Sequence, residues 1–250
     1  MQWFKILTVL FIVGNFIGCG PDKKQDVLSF FNDAAGVYKN GEYDKAIGSY
    51  EQMVDSGFVS GEVYYNLGNS YFKKGSLGKA ILNYERARRL LPRDSDLLSN
   101  LKYAHASIKN LPAQPQKSFG KKILAYVEYL SSDEEAVIGL IALLGLIVVH
   151  LLGLYFRWPS LTKAGMLSFV VVIFMVHLGA CFLKASDEKS AAIILVATEA
   201  RFEPETKATA HFYAAEGLCV KIIEENSGWI KVQRLDGNEG WLPREVLQKI

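Results

Sequence analysis

The sequence predicts a multidomain membrane protein with three parts: an all-α repeat domain, a transmembrane helical hairpin and a small all-β barrel. Three observations carry this. Residues 27–108 are helical in spacing and repeat themselves with a period of 34. Two charge-free apolar stretches, Ala136–Phe156 (21 residues) and Ala164–Leu183 (20 residues), are separated by seven residues. From Ser190 to Ile250 the pattern changes to short alternating runs divided by Gly, Asn and Asp.

The repeat comes first. Gly41, Ala46 and Tyr50 recur 34 residues later as Gly75, Ala80 and Tyr84. That period is the signature of tetratricopeptide (TPR) repeats, pairs of antiparallel helices stacked on their neighbours. In the second copy Tyr64, Leu67, Gly68 and Tyr71 hold the first-helix positions, and Ala80, Tyr84, Ala87 and Pro92 those of the second helix and its stop. Gly68 and Ala80 are small where the helices cross; the tyrosines and Leu67 fill the space around them. Pro92, lacking an N–H, ends the second helix. The first copy is weaker, with Asp33 where leucine is usual. Ser95–Asn110, with Leu97, Leu98, Leu101 and Ala104 on one side, reads as a capping half-repeat. The aromatic residues are core. Glu62, Tyr65, Asn69, Phe72 and Lys73 lie on the opposite, concave face of the first helix, either as partner contacts or as a solvated surface. Gly78-Lys79 is not a phosphate loop, because Lys73 and Ala80 stand at positions that motif requires otherwise.

Each apolar stretch is long enough to cross about 30 Å of hydrocarbon at about 1.5 Å per residue, and neither has the polar stripe of a soluble helix. The short connection, RWPSLTK, makes the two spans antiparallel, so the flanking parts share one side of the membrane. His150 and His177 are the polar residues that stand out. They differ in depth by about 10 Å, which argues against a shared site and favours contacts to partner membrane helices.

At the N-terminus, Lys5 and the apolar run Ile6–Gly18 form an export signal. Phe16-Ile17-Gly18-Cys19 resembles a bacterial lipoprotein signal in which Cys19 is lipidated; an ordinary signal peptide or an uncleaved anchor is the alternative. Arg157 and Lys163 favour a cytoplasmic hairpin loop, but Lys117, Lys121 and Lys122 nearly balance them. The export signal decides the orientation. The expected location is the bacterial cytoplasmic membrane, with both folded domains on its extracytoplasmic side.

Residues 109–135 contain a Pro-containing linker and then Ile123–Leu130, read either as an interfacial helix or as an extension of the first span. In the tail, Leu218, Val220 and Ile222 alternate with Cys219 and Lys221 as in a half-buried strand, which predicts that Cys219 faces outward. Gly228-Trp229, Asp236-Gly237 and Gly240-Trp241-Leu242 punctuate residues 191–250 in a way that looks like a bacterial SH3 (SH3b) domain. Trp229 and Trp241 serve either as a binding groove or as core.

The net charge of +2 implies no nucleic-acid partner. With four histidines, two of them in the spans, and three cysteines, no Ser/His/Asp set, Cys-x-x-Cys or metal-ligand spacing is present. No catalytic residue, cofactor or metal site is predicted, and the chain reads as non-enzymatic.

The order of parts, signal (1–19), TPR domain (27–108), hairpin (136–183) and SH3b domain (190–250), resembles the Bacteroides aerotolerance (Bat) operon family across essentially the whole chain. The residues carrying that resemblance are Gly61–Ala104, the hairpin and the GW-containing tail. It implies a membrane-bound subunit acting with other Bat proteins, several of which carry von Willebrand A-type domains, and a link to oxygen tolerance or envelope stress. The leading functional expectation is a scaffold binding partner proteins through both modules. The alternative is a cell-wall sensor, since related SH3b domains often bind peptidoglycan.

Overall fold

The computed structural model describes residues 21–109, 130, 132–157 and 159–250. The expected export signal with Cys19, the linker and residues 123–129 of the interfacial segment lie outside them.

Five helices form the repeat domain: α1 (Pro21–Lys39), α2 (Tyr43–Asp55), α3 (Gly61–Lys73), α4 (Leu77–Leu90) and α5 (Ser95–Ala106). The period of 34 is written into the helix ends. Gly41 (φ 81°) and Gly75 (φ 79°) close α1 and α3 in the left-handed region. There the N–H groups of Glu42 and Ser76 reach back to the carbonyls of Val37 and Tyr71, the bond that satisfies the last turn of a helix before a glycine cap. Ser60 and Asp94 cap the starts of α3 and α5 through their side chains. Inside the pair, Gly68 leaves room for Tyr84; a Cβ there would lie 2.7 Å from the tyrosine ring. Leu97, Leu101 and Ala104 bury α5 against the pair, whereas Leu98, one residue round from Leu97, is exposed.

Two helices follow, α6 (Ser132–Tyr155) and α7 (Ser160–Ser190). Val137–Tyr155 and Ala164–Ser186 within them are apolar and long enough to cross a membrane. Their contact seam is spaced by fours and threes: Ala142, Leu146, Val149 and Gly153 on α6, and Val170, Phe174, His177, Cys181 and Lys184 on α7 are withdrawn from the surface. That spacing is the packing of a shallow left-handed pair. His177 lies in the seam, near the carbonyl of Glu135 (3.4 Å), while His150 lies off it and exposed. At the open end of the pair, Lys184 Nζ donates to Glu135 (2.6 Å) and to the Leu130 carbonyl (2.8 Å). Arg93, in the turn before α5, pairs with Glu134 and ties the repeat to α6.

Without an intervening loop, α7 passes into the barrel. Its strands are β1 (Ala191–Ile194), β2 (Thr198–Arg201), β3 (Ala210–Ala214), β4 (Cys219–Asn226), β5 (Trp229–Gln233), β6 (Glu239–Pro243) and β7 (Leu247–Lys249). They form one antiparallel sheet in the order β3-β2-β6-β5-β4-β1-β7. Ser227 (φ 37°) and Gly228 (φ 91°) make the two-residue β4–β5 turn, whose positive φ values suit the twist of the flanking strands. Ile194, Val220, Ile230, Val232 and Leu242 fill the interior.

Candidate functional site

The concave face and the α4 face of the repeat meet different fates. On the concave side, Tyr65, Asn69 and Phe72 of α3 are half-buried and turn toward α5. Asn69 Oδ1 accepts from Tyr84 Oη (2.7 Å) and from Asn100 Nδ2 (3.0 Å). Asn100 Nδ2 also donates to Tyr65 Oη (2.9 Å). Phe72 meets the Tyr103 ring edge-on at 5.7 Å, and Tyr103 is 66% exposed. Glu62 and Lys73 are exposed at the two ends of α3. Three of the five sequence-predicted groove residues are therefore gathered in one network, with Asn100 and Tyr103 added from α5. Neither was read from the sequence; the signal available for Tyr103 is that it stands one period, 34 residues, after Asn69.

The α4 face is covered by the barrel. Glu216 Oε1 accepts the Gly78 N–H (2.8 Å), capping the first turn of α4 from another domain. Gly78 itself lies under the β1 end: a Cβ there would come within 2.6 Å of the Ile194 carbonyl oxygen and 2.8 Å of Leu195 Cα. Gly217, at φ +83°, likewise admits Ile81. Ile193 and Ala215 of the barrel join the core of the repeat. Arg86 and Arg89 donate to the carbonyls of Lys249 (3.1 Å) and Ile250 (2.8 Å). These contacts cover the end of the edge strand β7, an edge otherwise open to another strand.

Cys219 lies in this junction and packs against the core of the repeat instead of facing outward. Its outward-facing register on β4 is what turns it toward α4. Burial, with the nearby Glu85 charge, pushes its thiol up to about 12, against the opposing pull of Arg88 and Arg89. Glu85 sits beneath, bonded to Arg88 Nε (2.8 Å) and near His105 Nε2 (3.3 Å). Burial alone would raise the Glu85 carboxyl, but His105 and Arg88 together hold it below the usual carboxylate value. A lowered folded value means this stabilisation is complete above the ordinary carboxylate range and is lost as pH falls through the lowered value. Glu85→Gln is therefore expected to flatten the acid limb of a stability-against-pH curve, measured by denaturant unfolding at stepped pH.

On the barrel, Trp229 and Trp241 share one face of the β5–β6 ladder, with Trp229 opposite Pro243 and Trp241 opposite Lys231. Ile230, Val232 and Leu242 occupy the other, interior face. Trp241 is only 8% exposed and Trp229 is half-buried. The open aromatic surface lies nearby in the chain fold: Phe202, 57% exposed, stacks on His211 at 4.1 Å, and Arg234 lies 4.7 Å above the Phe212 ring. Neither contact was read from the sequence, because the strand carrying His211 and Phe212 has no clear alternation. Among the described residues no three His, Cys, Asp or Glu side chains are grouped to hold a metal ion.

These features define a class: TPR and bacterial SH3 modules joined through two helices of membrane-spanning length. Residues 61–94 match the tetratricopeptide repeat family and residues 197–249 match the bacterial SH3 domain family. Both are interaction modules, typically without catalysis. A 120-residue stretch is 28% identical to heat shock protein STI1 of Saccharomyces cerevisiae, covering 44% of this chain. The match spans 20% of the length of that curated relative.

Proposed function

We propose that this chain is a non-enzymatic scaffold anchored in the bacterial cytoplasmic membrane, a BatE-like subunit of a Bat-type envelope complex linked to aerotolerance or stress. Both modules face the extracytoplasmic side, and the partners are Bat proteins carrying von Willebrand A-type domains. The observation that carries the reading is the docking of the barrel onto α4. It leaves the concave side of α1, α3 and α5 uncovered while fixing it to a membrane-spanning pair. Glu62, Tyr65, Asn69, Phe72 and Lys73 are the contact residues on that side. Cys19, if lipidated, adds a third attachment.

The test is affinity purification of the full chain in detergent, followed by identification of what is retained. Von Willebrand A-type Bat proteins are expected with the wild type and are lost with Phe72→Ala/Lys73→Glu. Their absence from the wild-type sample sinks the reading. A second reading, a cell-wall sensor binding peptidoglycan through the barrel, is favoured by the exposed Phe202–His211 pair, since flat aromatic faces suit sugar rings. Retention on isolated wall material that falls on Phe202→Ala supports it; equal retention in Trp229→Ala removes the tryptophan groove.

A further inference from the structure

A cleft of about 710 Å³ opens where α2, α3 and α4 meet the end of β7. It uses Tyr64, Leu67 and Tyr71 of α3, which lie about 130° around the helix from Tyr65, Asn69 and Phe72. It is therefore separate from the concave face. Its volume is in the range that holds a drug-sized ligand or a short peptide.

We infer that this cleft is a second peptide site, built jointly by repeat and barrel, that takes an extended segment carrying an acidic side chain. Three features select that occupant. The first is on its lining: Asn83 is 3% exposed, gives its amide N–H to the Lys79 carbonyl (2.8 Å), and has an amide oxygen with no hydrogen-bond partner among the described residues. A buried acceptor of this kind calls for a donor, and a peptide N–H supplies one. The second is charge. The α4 wall presents Lys79, Arg86 and Arg89, the last bonded to the Ile250 carbonyl, and the α2 wall Glu51 and Asp55. Glu51 is already engaged by the Tyr71 hydroxyl, and Arg86 gives one bond to the Lys249 carbonyl. Lys79, exposed at the rim, lies 4.9 Å over the Tyr71 ring and gives one long bond to its hydroxyl (3.4 Å), which leaves two of its three donors for an incoming carboxylate. The third is the pair of exposed apolar residues, Val59 and Leu90, that also line the cleft (56% and 43% exposed), which suit apolar neighbours of the acid.

The inference does not depend on the Bat assignment. The experiment uses full-length protein in detergent and two labelled pentapeptide pools, one with Glu and one with Lys fixed at the centre and Ala, Leu or Val elsewhere. Fluorescence polarisation is expected to show the Glu pool bound about tenfold more tightly, the size of one charge-assisted contact. Lys79→Glu, checked for a retained fold by circular dichroism because Lys79 also packs on the Tyr71 ring, reverses the preference. Asn83→Leu weakens both pools, and Tyr103→Ala, an exposed ring on the concave face, leaves both unchanged. Equal binding of the two pools, no binding of either, a preference that survives Lys79→Glu, or loss on the concave-face change each overturns the inference.

Discussion

Gly78→Val is expected to detach the barrel from the repeat without unfolding either. The two nearest atoms a side chain would meet are the Ile194 carbonyl oxygen and Leu195 Cα, both backbone, so no rotamer change relieves the clash. Relief requires moving β1 away, which breaks the Glu216 cap on α4 and uncovers Ile81 and Ile193. Overpacking with loss of a buried contact costs about 3 kcal/mol or more. The readout is Cys219. Wild-type Cys219 is half-buried against the core of the repeat and burial holds its thiol protonated, so it reacts slowly with a thiol reagent. In the variant its labelling, mapped by peptide mass, is expected to accelerate about a hundredfold. Wild-type labelling kinetics in Gly78→Val, with both domains folded, would show that the docking observed here does not govern access to the thiol.

Tyr84→Ala is expected to unfold the repeat. Tyr84 is fully buried, its ring fills the space Gly68 leaves, and its hydroxyl donates to Asn69. Large-to-small changes at such a site cost about 3–5 kcal/mol, a large share of the stability of a small domain. Neighbouring repeats supply most of each other's core, so α5 and the Tyr65–Asn69–Asn100 network go with it. Tyr84→Phe keeps the packing and removes one hydroxyl, costing about 1 kcal/mol, because Asn69 still accepts from Asn100. Denaturant unfolding followed by helical circular dichroism separates the two. Similar losses from both variants would mean that the hydrogen bond, not the packing, carries the site.

The parts of the fold that follow from a periodicity were legible in the sequence. Gly41 and Gly75 mark identical helix ends because a left-handed residue recurs in each repeat, and the two long apolar helices announce themselves by length. The barrel was legible only in part. Ala191–Thr198 reads as one apolar run but is divided: β1 ends at Ile194 and β2 starts at Thr198. Ala210–Ala214, now β3, carries a histidine and two aromatics with no apolar alternation. The docking of barrel on repeat left no pattern at all. It is made by two glycines, one glutamate on a helix N–H, and arginines on backbone carbonyls, and none of these produces a hydropathy signal. Cys219 was misjudged for that reason. Strand alternation correctly sets it on the face away from the barrel interior, but that face is covered by another domain. The same limit applies to the candidate groove: spacing selects the face of α3, but only the packing of α5 reveals that Asn100 binds two of its members.

The passage of α7 into β1 has a mechanical consequence. A helix continuing to Ser190, four residues past the apolar window, and then entering a strand provides no swivel. With the barrel seated on α4 and Arg93 paired to Glu134, rotation of α7 about its own axis turns the whole repeat-and-barrel assembly through the same angle. One residue inserted between Ser186 and Ser190 would change the heading of the assembly by about 100°, setting it against the α6 tether. The helix pair therefore fixes the azimuth of the repeat and barrel about its own axis, and the direction in which the concave face looks is a property of helical register.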